Sequence, residues 1–140
     1  MNNFEVNLSD LQPSQLYICL DKLAVVERET ITNCESSFSP LPVKMIASRI
    51  TLTDGHTRAL AARRRGCKSV QVYWDRDELD WESYEICVQW CIDANIHSVL
   101  DLESRIVTVA QYAELWIERC SAMHARLASL RKTGEGATEI

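Results

Sequence analysis

Between Leu41 and Trp74 the apolar positions recur at every second residue, interrupted by one stretch of helical character. Val43 and Met45 alternate with Lys44, and Ile50 and Leu52 alternate with Thr51 and Thr53. That period predicts two strands, with Ala47-Ser48 as a tight hairpin between them. Ser69 to Trp74 alternates again, with Val70, Val72 and Trp74 on one side. Gly55 to Arg65 carries helix formers and ends at Gly66, the residue type that closes a helix in the left-handed conformation. The unit reads strand–strand–helix–strand. On a helical wheel Ala59, Ala62 and Gly66 share one narrow face, small enough to lie close against a sheet. Arg58 and Arg65 flank that face on one side, His56 and Arg63 on the other. Three consecutive arginines span too wide an arc for one ligand, so at least one of Arg63, Arg64 and Arg65 is solvated.

Beyond this unit the period becomes helical. Asp80 is placed to cap a helix from Trp81 to about Ala94, with Trp81, Tyr84, Cys87, Val88 and Cys91 on one side. Ser98 to Ile106 predicts a short helix, and Thr108-Val109-Ala110-Gln111 is a capping-box start for a long one. The apolar set of the long helix is Val109, Tyr112, Ala113, Trp116, Cys120, Met123 and Leu127. The N-terminal third is less regular. Pro13-Ser14 breaks any helix, Gln15 to Cys19 reads as extended, and Asp21 to Glu29 reads as helix. Thr30 to Pro40 is a polar loop, and Thr133 to Ile140, with two glycines and little to bury, reads as a frayed tail. The expected fold class is α+β: a small mixed sheet with the motif helix against it, extended by C-terminal helices. One domain over 1–132 is expected, with an α+β core over about 1–78, a helical extension over 79–132 and a flexible tail over 133–140.

Length and charge narrow the function classes. A chain of 140 residues with 46% hydrophobic and 25% charged residues can bury one real core. The net charge of −5 gives no general attraction to nucleic acid or anionic membrane. Charge is nevertheless segregated. Arg58, Arg63, Arg64, Arg65 and Lys68 occur without an acid between Gly55 and Tyr73, and Asp75, Asp77, Glu78, Asp80, Glu82 and Glu85 follow. The acidic run reads as a solvated turn and helix N-terminal charge rather than a cation site. No apolar run approaches the roughly 18–20 residues that span a bilayer, and Met1 to Asn7 carries no signal-peptide pattern. Six cysteines without other signs of secretion indicate a cytoplasmic protein with reduced, buried thiols.

The chemistry concentrates at Asp54-Gly55-His56-Thr57-Arg58, where the second strand meets the helix. The first N–H groups of a helix have no intrahelical partner, and the helix dipole favours an anion there. In the functional reading, phosphate is held by those N–H groups with the Thr57 hydroxyl and the Arg58 guanidinium. Asp54 holds magnesium or orients an acceptor hydroxyl, and His56 serves as phosphate donor or acid–base group near its ordinary pKa of about 6.5. The bland reading makes Asp54 an N-cap, Gly55 a turn residue and Arg58 a surface charge. Cys87 and Cys91, one helical turn apart, fall on the apolar face with Trp81. They read as core rather than as metal ligands with His97.

Asp54 to Arg58, then Ala61-Ala62, then Gly66 eleven residues after Gly55, then the Val70/Val72 strand, resembles the ParB/sulfiredoxin-like superfamily. The resemblance covers residues 41–74 well and the Pro13 region loosely. The ParB branch has Gly-Glu-Arg-Arg-x-Arg-Ala-Ala at this point, a loop that holds nucleotide phosphates. The sulfiredoxin branch has Gly-Cys-His-Arg, with a catalytic cysteine. The archaeal free-serine kinases, with Asp-Gly-His-His-Arg and a nucleotide donor, are similar in motif. His56 stands where sulfiredoxin has its cysteine, which argues against sulfinic-acid repair. Thr57 and Leu60 replace two ParB arginines, and no basic recognition helix follows, which argues against sequence-specific DNA binding. The resemblance implies a nucleotide ligand (ADP, ATP or CTP) with Mg²⁺, or a small phosphorylated ligand. It implies catalytic roles for Asp54 and His56 and phosphate contacts from Gly55, His56, Thr57 and Arg58, without a structural metal. The kinase branch also needs an N-terminal carboxylate, for which Asp21, Glu27 and Glu29 are available. The competing class is a non-catalytic interaction or regulatory module that keeps the fold. Its protein partner or second copy would bind through the C-terminal helices, whose Trp90 and Trp116 do not both fit inside.

Overall fold

The computed structural model describes residues 2–29 and 39–138, so most of the expected Thr30–Pro40 loop and the last two residues lie outside the description. The fold is α+β. Its main sheet has four strands in the order β1 (Phe4–Asn7), β5 (Ser69–Trp74), β3 (Leu41–Ile46), β4 (Arg49–Leu52). β1 runs antiparallel to β5 and β3 antiparallel to β4, while β3 and β5 pair in parallel. The hairpin between β3 and β4 turns at Ala47 and Ser48, both at positive φ (52° and 63°), the mirror-image turn whose twist matches the strands it joins. Between β4 and β5 comes α2 (His56–Arg64), closed by Gly66 at φ 89°.

The narrow small-residue face expected for α2 is an underestimate. Ala59, Leu60, Ala61 and Ala62 are all fully buried, because α2 packs against α1 (Leu20–Glu29) and the 3₁₀ helix Val99–Arg105. Strand alternation fails at three places. Thr51 is fully buried because Gln12 pairs against it at the free edge of β4. Trp74 and Met45 are exposed, Trp74 resting on the ring of Phe4 at 5.1 Å.

The helical part begins with α3 (Trp81–Asp93), whose N-cap Asp80 accepts the Ser83 N–H. The capping box of Thr108 and Gln111 starts a continuous rod. It comprises α4 (Val109–Tyr112), a π-helical segment Ala113–Ile117 and α5 (Glu118–Thr138). Trp116 is buried and meets half-buried Trp90 edge to face at 6.1 Å. Arg131 of α5 reaches back to the start of α3, chelating Asp80 at 3.0 and 2.7 Å and touching Glu82 at 3.1 Å. The side-chain hydrogen bond from Arg131 holds the Asp80 carboxyl below its ordinary value. Trp81, expected on the apolar face of α3, is largely exposed under the Lys44 ammonium. The α5 helix is continuous to Thr138.

No clean line separates core from extension at residue 78. β2 (Ile18–Cys19) pairs in parallel with β6 (Ile106–Val107), and Val99 N–H donates to the Leu11 carbonyl at 3.1 Å. Both draw the 98–107 segment onto the N-terminal core. Cys19, Cys87, Cys91 and Cys120 are free, but Cys67 is disulfide-bonded, so the expectation of a wholly reduced set fails there. No described helix is long and apolar enough to cross a membrane.

Candidate functional site

The site is built on the end of β4 and the start of α2. Thr53 is held from two sides: its hydroxyl donates to Asp75 at 2.8 Å, and its carbonyl accepts the Tyr84 hydroxyl at 3.0 Å. The chain then turns at Gly55, which is left-handed (φ 79°, ψ 21°) and is itself the N-cap of α2. Asp54 therefore does not cap the helix; its Oδ1 accepts the Gly55 N–H at 2.7 Å. No side chain caps α2, and the first intrahelical bond at this end is Ala59 N–H to Gly55 O. The N–H groups of His56, Thr57 and Arg58 thus have no partner within the helix.

Glycine at position 55 is required twice over. A Cβ there would lie 2.8 Å from Leu41 Cδ2, on a buried side chain, and 3.1 Å from Arg58 Nη2. It would also sit at a φ that L-residues disfavour. Gly55→Ala is expected to cost about 1–3 kcal/mol in urea denaturation. A cost under a few tenths would show that this junction is not the rigid element it appears in the fold.

His56 departs from the sequence expectation. The ring is only 4% exposed, and burial lowers its pKa to about 4, against a smaller opposing pull from Asp54. Its Nε2 accepts the Ser14 N–H at 2.9 Å. That nitrogen therefore carries no proton in the neutral ring, and the proton sits on Nδ1. An imidazolium contact to phosphate, or acid–base work at an ordinary pKa, is not what this environment provides at neutral pH. Ser14 is placed by its neighbour Gln12. The Gln12 backbone bonds Ile50 and Leu52 along the β4 edge, and its amide donates to the carbonyls of Pro13 and Ile96. The Ser14 hydroxyl donates to the Leu52 carbonyl at 2.7 Å.

Asp54, Gly55, His56, Thr57 and Arg58 all line one cavity of about 610 Å³. The fold also brings to it Gln15, Asp21, Lys22, Val25 and Val26 from the N-terminal segment and Tyr112 from α4. Asp21 is thus the N-terminal carboxylate that shares the site, while Glu27 instead pairs with Arg64 at 3.1 Å. Arg58 is half-buried, and its guanidinium has no hydrogen-bond or ion-pair partner among the described residues. Lys22 places its ammonium 5.2 Å from the centre of the Tyr112 ring. The remaining arginines are spent elsewhere. Arg64 pairs with Glu27 and Glu103, Arg65 donates to the Glu27 carbonyl, and Arg63 is exposed.

Sequence reasoning missed Ser14, Gln15, Lys22 and Tyr112. Their only local signal is the Pro13-Ser14 interruption, since all are brought in from other elements. Among the described residues no three His, Cys, Asp or Glu side chains stand close enough to hold a metal ion. His97 lies apart from Cys87 and Cys91, its N–H donating to Asp101.

No family model matches the chain, and none of the curated proteins matches it. Among solved structures it is similar to protein Atu1540 from Agrobacterium tumefaciens, at 18% identity and a TM-score of 0.47. That match covers 68% of this chain and 49% of the other, so the chain spans about half the length of Atu1540.

Proposed function

We propose that the cavity at the start of α2 binds the phosphate of a nucleotide or of a small phosphorylated ligand. The observation that carries this reading is Arg58, a half-buried guanidinium without a partner among the described residues, beside three uncapped helix N–H groups. A half-buried guanidinium with no direct ion pair favours an anion, and the helix terminus adds oriented donors. Lys22 supplies a second positive charge, and Val25, Val26 and Tyr112 offer an apolar wall for a base or sugar. The resemblance of the motif to the ParB/sulfiredoxin-like superfamily supports the same ligand class.

In the phosphotransferase form of this reading, Asp54 and Asp21 hold Mg²⁺ or orient an acceptor hydroxyl. Thr57 and Arg58 hold phosphate, and His56 acts as a neutral Nδ1–H donor rather than as a charge. A cytoplasmic location suits a nucleotide ligand. The net charge of −5 argues against nucleic acid as the partner.

Calorimetry and thermal shift with ADP, ATP, CTP, GTP and inorganic phosphate, with and without Mg²⁺, test the reading. A ligand at a hundred times its Kd raises stability by about 2.7 kcal/mol. Arg58→Ala is expected to abolish that gain while changing the stability of the free protein by no more than about 0.5 kcal/mol, since Arg58 makes no described polar contact. If none of these compounds binds at millimolar concentration, the nucleotide reading fails.

One observation favours the interaction-module alternative. A groove of about 520 Å³ between α3 and α5 is lined by Trp90, Met123, Leu127 and Leu130 and edged by Arg119 and Arg126. Leu130 is 60% exposed at its end. An apolar groove with a basic rim fits an acidic amphipathic segment.

A further inference from the structure

The phosphate reading leaves unused a second cavity of about 290 Å³, which shares Gln15 and His56 with the first. Its helical wall carries Cys87 from α3 and Cys120 from α5, both free thiols, with Trp116 beside them. Both thiols line this cavity from the two packed helices, close enough for each to influence the other's titration. They are not equivalent. Cys120 is partly exposed, and its neighbour Cys87, with nearby Arg119, pulls its thiol below the ordinary value. Cys87 is nearly buried, and the neighbouring Cys120 together with burial pushes its thiol up. Cys91, one turn further along α3, is fully buried and pushed up to about 12, which makes it inert by comparison.

We propose that Cys120 and Cys87 form a reversible dithiol–disulfide pair that exchanges with low-molecular-weight disulfides admitted to this cavity. Cys120 is the attacking thiol and Cys87 the resolving one. The Cys120 thiolate attacks one sulfur of the small disulfide. That sulfur–sulfur bond breaks, the first small thiolate leaves and takes up a proton, and a mixed disulfide remains on Cys120. Cys87 then gives up its proton and attacks the Cys120 sulfur, displacing the second small thiolate, which is protonated in turn. The protein loses two electrons and two protons, and one small disulfide becomes two thiols. The product bond ties α3 to α5 at the cavity wall. Excess small dithiol reverses both steps.

The test exposes the full chain to glutathione disulfide, blocks remaining thiols with N-ethylmaleimide, and maps peptides by mass. The expected result is a new Cys87–Cys120 cross-link, with the alkylation of both residues lost together and restored by dithiothreitol. In Cys87→Ser a glutathione adduct accumulates on Cys120; in Cys120→Ser neither adduct nor cross-link forms at Cys87. Cys87→Ala serves as a second variant should the serine form not keep the wild-type circular dichroism. Full alkylation of both residues under excess glutathione disulfide overturns the proposal. So does a cross-link from either of them to Cys19 or Cys91, or an adduct trapped on Cys87 in place of Cys120. Cys67, already disulfide-bonded, contributes no new link and is distinguished by the peptide map.

Discussion

Lowering the pH from 6.5 to 4 is expected to remove about 3 kcal/mol of stability through His56 alone. Its folded pKa of about 4 lies below the ordinary 6.5, so over that window the unfolded chain binds the extra proton. Stability therefore rises with pH through the window. The contribution is fully present above 6.5 and is lost as the pH falls towards 4. The cause is burial, strengthened by the Ser14 N–H on Nε2, which occupies the lone pair that a proton would need. Asp80, held below its ordinary value by Arg131, loses its contribution only at lower pH. The check is urea denaturation at several pH values for wild type and His56→Gln. The glutamine carbonyl can accept the Ser14 N–H but does not titrate. The difference in stability between the two proteins should change by about 3 kcal/mol across the window, and a constant difference would refute this account.

Leu60→Ala is expected to cost about 2–5 kcal/mol, the range for removing a fully buried leucine and leaving its cavity. Two residues earlier on the same helix, Arg58→Ala should leave stability nearly unchanged and remove phosphate binding. The contrast separates what α2 does for the core from what it does for the site. Equilibrium denaturation of the two variants, with binding measured in parallel, reads both. A Leu60→Ala cost below 1 kcal/mol would mean that α2 is not clamped between α1 and the 3₁₀ helix as described.

Local chemistry made several elements legible. Gly66 closes α2, Asp80 caps α3, and Thr108 with Gln111 opens the last helical rod, because each of these is settled within a few residues of its own position. The burial of Leu60 was not legible. A helical wheel assumes one buried face, and α2 is covered from several directions. The behaviour of His56 was not legible either, since burial and the Ser14 amide, 42 positions away, set it.

For the candidate site, the sequence by itself determined the backbone geometry of the Asp54–Arg58 junction. A glycine that must be left-handed and a helix start with a cation in its first turn are properties of consecutive residues. The tertiary structure decided what surrounds that junction. It brought Asp21 and Lys22 from α1 and Tyr112 from α4 to the same cavity, and it placed Cys87 against Cys120 in the next one. It also left Arg58 without a polar partner among the described residues, while Arg64 and Arg65 found acceptors. The physical reason is range. Backbone conformation and helix termini are fixed by short-range sterics and hydrogen bonds, whereas burial, pKa and the composition of a cavity depend on residues that only packing brings within reach.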